Sequence, residues 1–140
     1  MFIKQISLFV ENQPGKLVEA TQILSDGGVD ISALSLADTT DFGILRIIVD
    51  DPDKALSLLR ERDYIVKQTD VIAAVMDDCP GGLTSVLRIL AQAGVSVEYM
   101  YAFVGRREGH AVVVMRTDAP ETAQTALAEN HVSMLAPSDL

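Results

Sequence analysis

The sequence predicts an α+β fold made of two βαββαβ units in tandem, each an antiparallel sheet with its helices on one face. Three observations carry this reading. The chain repeats itself at a fixed offset, its apolar residues switch between strand and helix periods, and a Pro-Gly turn recurs at the same point of both repeats.

The repeat is found first, because a missed repeat misreads the whole fold. ENQPGKL at 11–17 aligns with DDCPGGL at 77–83, placing Pro14 on Pro80, Gly15 on Gly81 and Leu17 on Leu83 at an offset of 66. The same offset matches Leu24 with Leu90, Gly28 with Gly94, Val29 with Val95 and Ile31 with Val97. Read without a gap, it continues through Gly43 with Gly109 and Val49 with Met115, and slips only where Pro52 meets Pro120. The expected domains are therefore 1–70 and 71–140, with no flexible linker between them.

Each unit reads in the same order. Residues 2–10, FIKQISLFV, are β-branched and aromatic-rich, which suits a strand. Pro14-Gly15 stops that strand and opens a helix on which Leu17, Ala20 and Leu24 recur; Leu83, Val86, Leu87 and Leu90 follow i, i+3, i+4, i+7 in the second copy. Gly27-Gly28 and Gly94 end these helices, where a left-handed backbone is wanted. Second strands are expected at 30–38 and 96–104, followed by turns at Thr39–Gly43 and Gly105–Gly109 and third strands ILRIIVD and HAVVVMR. Asp51-Pro52 reads as an N-cap with proline in the first turn, and Asp118 with Glu121 as a capping box. Ala55, Leu58 and Leu59, then Ala123, Ala126 and Leu127, are the expected buried stripes of the second helices, and short fourth strands follow at 64–70 and 131–135. This order is the ferredoxin-like plan. Both faces of the third strands are apolar, so a cover other than water is expected on the helix-free face, most simply a second copy of the chain.

A βαββαβ unit with Pro-Gly-x-Leu after its first strand, present twice, resembles the ACT domain over nearly the whole chain. The resemblance implies a regulatory module. Such domains pair edge to edge through their second strands, and a free amino acid binds between the first strand–helix loop of one domain and the second strand of its neighbour. Carried onto this sequence, the ligand-binding positions are Asn12, Gln13, Pro14, Gly15, Lys16 and Leu17 with Tyr99, Met100 and Tyr101, and reciprocally Asp78, Cys79, Pro80, Gly81 and Leu83 with Leu34 and Ser35. The physical chemistry of these positions agrees. Helix starts at Gly15 and Gly81 offer N–H groups at the positive end of a helix dipole, which suits a carboxylate. Asn12 and Asp78, at matching positions, offer oxygens to an ammonium. The two sites differ, since Asn12 is neutral where Asp78 is charged and Lys16 becomes Gly82, and the Asn12 site with Tyr99–Tyr101 is the expected first choice.

Composition limits the alternatives. A net charge of −9 disfavours a nucleic-acid partner and an anionic membrane surface. The N-terminus shows no basic, apolar secretory leader, and no stretch approaches the ~20 apolar residues that span a bilayer. The single Cys79 excludes an internal disulfide and fits a reducing, cytoplasmic setting, where it reads as an ordinary loop thiol. His110 and His131 lack a surrounding cluster with ligand spacing, so no metal is expected. Asp50, Asp51 and Asp53 read as helix capping, Arg106-Arg107 as a hairpin tip, and Tyr99, Tyr101 and Phe103 as a core or dimer seam. With no enzyme signature, the expectation is a non-catalytic, cofactor-free amino-acid sensor acting as a homodimer. The alternative is the regulatory subunit of a metabolic enzyme partner such as acetolactate synthase, whose small subunit also begins with an ACT domain.

Overall fold

The order of elements follows from the alternation of strand and helix periods. In the computed structural model, which describes residues 1–38, 41–105 and 108–140, the chain runs β1 (Ile3–Glu11), α1 (Lys16–Asp26), β2 (Ile31–Asp38), β3 (Phe42–Val49), α2 (Pro52–Glu61) and β4 (Val66–Asp77). It continues with α3 (Gly82–Gln92), β5 (Val97–Ala102), β6 (His110–Thr117) and α4 (Pro120–Glu129). This is the α+β, antiparallel architecture the sequence predicts. Contacts divide the chain into Lys4–Thr69, called here the first module, and Met1–Ile3 with Asp70–Leu140, the second.

In the first module β3 pairs antiparallel with both β1 and β2. Side chains alternate across a strand, so Ile6, Leu8, Leu45 and Ile47 share one face, where they pack with Ala20, Leu24, Ala55 and Leu59 of the two helices. The second module repeats this with β6 between β4 and β5, and Ile72, Ala74 and Met115 beneath Val86, Leu90 and Leu127. Phe2 packs against this second cluster.

Several sequence expectations change in detail. The fourth strand of the first repeat and the first strand of the second are one strand, β4, and the division between modules falls inside it. The strand expected at 131–135 is reduced to a single bridge between Ala74 and Met134. The Val75 N–H donates to the Ser133 carbonyl at 2.8 Å and the Leu135 N–H to that of Ala73 at 2.9 Å. The register between repeats also slips earlier than a gap-free reading gives. Ile6 pairs with Ile47 but Ile72 with Met115, so first strands match at 66 and third strands at 68. The two extra residues therefore lie between the second and third strands. His110 matches Phe42, not Ile44, and Asp41 matches Gly109: the Asn12 and Asp78 N–H groups donate to those two carbonyls, each at 3.0 Å. Residues 39–40 and 106–107 of the expected turns, including Arg106-Arg107, lie outside the described residues.

Capping is also asymmetric. Asp51 accepts from the Lys54 N–H at 3.2 Å, as expected of an N-cap before Pro52. The equivalent N-cap of α4 is Ala119, with no side-chain cap, so the expected Asp118–Glu121 box does not form. Asp118 instead accepts from the Ser96 N–H at 2.9 Å, and Asp50, read as a capping residue, accepts from the Asp30 N–H at 3.0 Å. Both carboxylates tie the approach to the second strand to the end of the third. Each stripe of the second helices differs from expectation at one residue: in α2 Leu56 is buried, while Leu58 is half-buried against Gly27, where a β-carbon would meet its side chain, and in α4 Ala126 is half-buried. Ile23 joins the core, but Leu17 and Leu83 are each 38% exposed.

The apolar third strands have a different explanation from the expected one. Ile48 and Val114 lie on the helix-free faces, opposite Ala33 and Ala73, and all four are fully buried within a single chain. Their hydrophobicity needs no second copy. The core itself is tested by contrast: Leu59→Ala, at a fully buried site, is expected to cost about 2–5 kcal/mol in urea denaturation. Val18→Ala, at an exposed helical position, is expected to stay within about 0.5 kcal/mol.

Candidate functional site

The two Pro-Gly turns produce the same local structure. Gly15 and Gly81 precede their helices at φ of 86° and 90°, a left-handed conformation that a side chain disfavours. In each turn the first helical N–H folds back onto the loop, Lys16 to the Gln13 carbonyl at 3.2 Å and Gly82 to that of Cys79 at 3.0 Å. Neither helix has a side-chain cap. Backbone N–H groups at a helix start have no intrahelical acceptor, and together with the dipole they favour an anion. A β-carbon at Gly15 or Gly81 would meet nothing within 4 Å, so the space above both glycines is open. Asn12, Gln13, Pro14, Asp78, Cys79 and Pro80 are all exposed beside it.

The strand residues of the predicted site fall on two faces. β2 and β5 are the outer strands of their modules. Leu34 pairs with Ile47 and Met100 with Met115, so both point to the helix side, yet they are 49% and 42% exposed. Leu36, the third residue of the Leu34-Ser35-Leu36 run, pairs with Leu45 on the same side and is 50% exposed. Each outer strand thus leaves apolar side chains uncovered on the side of the helix start. Ser35, Tyr99 and Tyr101 lie on the opposite face, paired with Arg46, Arg116 and Val114, and are half-buried. Arg116 also approaches Glu98 at 3.8 Å and donates to the Asp70 carbonyl at 3.2 Å. The predicted run Tyr99-Met100-Tyr101 therefore presents Met100 to one face and the tyrosines to the other.

Lys16 and Gly82 differ for a steric reason. A β-carbon at Gly82 would meet the Asp77 carbonyl, whereas Lys16 reaches Glu19 at 3.9 Å. Among the described residues, no group of three His, Cys, Asp or Glu side chains could hold a metal. No helix there is long and apolar enough to cross a membrane.

The model of the ACT domain pair matches residues 1–140, the whole chain. The chain belongs to the ACT family. It is 41% identical to a protein of known structure from Bacteroides thetaiotaomicron, covering 99% of this chain and 95% of that one with a TM-score of 0.94. The fold is also shared with the regulatory subunit of aspartate kinase from Thermus thermophilus, at 17% identity, 90% of each chain and a TM-score of 0.67. The corresponding subunit from Thermus flavus has 17% identity, covers 91% of this chain and 92% of that one, and has a TM-score of 0.62. No curated protein matches. The matching model is that of an ACT domain pair and not of a catalytic domain.

The asymmetry of the two ACT loops gives a direct test. Gly82→Ala forces the Asp77 carbonyl to move and is expected to lower stability by about 1–3 kcal/mol in chemical denaturation. Lys16→Ala, at the matching position, is expected to change it by less than about 0.5 kcal/mol.

Proposed function

We propose that this ACT domain pair is a non-catalytic amino-acid sensor that works as a homodimer. The ligand sits between the Pro-Gly loop of one module and the second strand of a module in another copy of the chain. The observation that carries this reading is the pairing, in each module, of an uncapped helix start under open space with an outer strand whose apolar side chains are uncovered. The N–H groups at Gly15 and Gly81 suit a carboxylate, and the side-chain oxygens of Asn12 and Asp78 suit an ammonium. Leu34, Leu36 and Met100 supply an apolar wall once a second strand edge closes on them, so an aliphatic or small side chain fits best. Regulation follows if the ligand prefers one dimer arrangement over another, since only differential affinity shifts an equilibrium. A reducing cytoplasm is the setting in which the single thiol Cys79 persists unpaired.

A second reading rests on the fold shared with the two Thermus subunits over about nine-tenths of the chain: this protein would be the regulatory subunit of a metabolic enzyme. Melting temperature measured against a panel of free amino acids distinguishes the two. A ligand at ~100 times its dissociation constant adds roughly 2.7 kcal/mol of stability. The sensor reading expects a shift for one amino acid or a related few. Asn12→Ala or Gly15→Val, folded by circular dichroism, should weaken binding at least tenfold. No shift for any of them in the folded dimer contradicts the free-standing sensor and leaves the enzyme subunit, whose partner then co-purifies with the tagged chain.

A further inference from the structure

Apart from the Pro-Gly loops, each module has a cleft at the end of its first strand, between the first turns of its first helix and the turn that follows its second helix. The cleft is about 240 Å³ in the first module and about 360 Å³ in the second. Both turns contain a non-glycine residue with left-handed φ, Asp63 at 64° and His131 at 61°. The backbone mould is thus the same, and the side chains that fill it are not. Phe9, Glu19 and Tyr64 of the first cleft are matched by Val75, Ser85 and Val132 in the second.

The first cleft combines exposed aromatic surface with a negative corner. Phe9 is 50% exposed and Phe42 is 48% exposed, although both line the cleft. Scattered apolar residues on a surface are ordinary, but here two half-exposed phenylalanines line one small concavity. Glu11 is the cross-strand partner of Phe42. Glu19 and Tyr64 line the same cleft. Burial pushes the Tyr64 phenol above its usual 10.0, and Glu19 and then Glu11 push it further, so both carboxylates act on one point. Lys16 lies 3.9 Å from Glu19, and the lining carboxylates outnumber the lining bases.

We propose that this cleft binds a small primary amine carried on an apolar or aromatic body, with the ammonium between Glu11 and Glu19 and the body against Phe9 and Phe42. An ammonium has three donors and no acceptor, which matches carboxylate oxygens. Aromatic faces attract a cation within about 6 Å of the ring. The volume lies below the ~300 Å³ at which drug-sized pockets begin, which limits the ligand to about one ring. This site lies within one module, needs no second copy, and stands whether or not the Pro-Gly loops bind an amino acid.

The test is titration of the full chain with 2-phenylethylamine, followed by amide chemical shifts, beside the acid of similar body, 3-phenylpropionate. Saturable binding of the amine is expected, with shifts at residues 9–11, 42 and 62–65. Affinity should fall at least tenfold in Phe9→Ala and in the Glu11→Gln, Glu19→Gln double variant, and stay unchanged in Glu61→Gln, an exposed carboxylate outside the cleft. Equal binding of the acid, shifts centred on residues 12–15, or no binding by the folded protein would each overturn the proposal.

Discussion

Helix pairs packed on one face of a short antiparallel sheet set the terms for everything else in this chain. A strand has two faces and a period of two, so fixing Ile6, Leu8 and Ile47 beneath α1 and α2 decides where every neighbouring side chain points. The helices cover the strands near the middle of each module and leave the outer ones, β2 and β5, with Leu34, Leu36 and Met100 in the open. The same packing aims the helix starts, with their uncapped N–H groups, from the end of each first strand. The proposed ligand site is made of what this arrangement leaves unsatisfied: polar groups at a helix start and apolar groups on a sheet edge.

Much of this was legible in the sequence because it rests on local chemistry repeated twice. Pro14-Gly15 and Pro80-Gly81 specify a left-handed turn before a helix, and Asp51-Pro52 a cap, whatever surrounds them. What was not legible depends on partners distant in the chain. Asp118 could cap α4 or hold Ser96, and only the approach of the second strand favours the latter. The two-residue insertion between the second and third strands is invisible to a gap-free comparison, since Gly43 and Gly109 happen to coincide at the wrong register. Leu56 and Leu58 are both candidates for the buried stripe of α2, and the close approach of Gly27 decides which one turns inward.

For the site, the loop positions were legible and the strand positions only half so. Glycine and an uncapped helix start announce themselves by residue type. The side of a strand on which Met100 or Tyr101 faces depends on pairing with β6, which a run of three consecutive residues does not encode. The apolar third strands misled for a related reason: Ile48 and Val114 need burial, but the chain supplies it alone. The case for a second copy rests on the exposed edges instead. The two modules also carry different side chains on similar local backbones, at the Pro-Gly loops and at the clefts alike.

The most direct test is amide hydrogen exchange of the chain with and without the amino acid that raises its melting temperature. The account predicts added protection at residues 12–17 or 78–83 together with the outer strands, around 34–36 or 99–101, and little change in the fully buried core strands. Protection confined to regions away from both the Pro-Gly loops and the outer strands would contradict it.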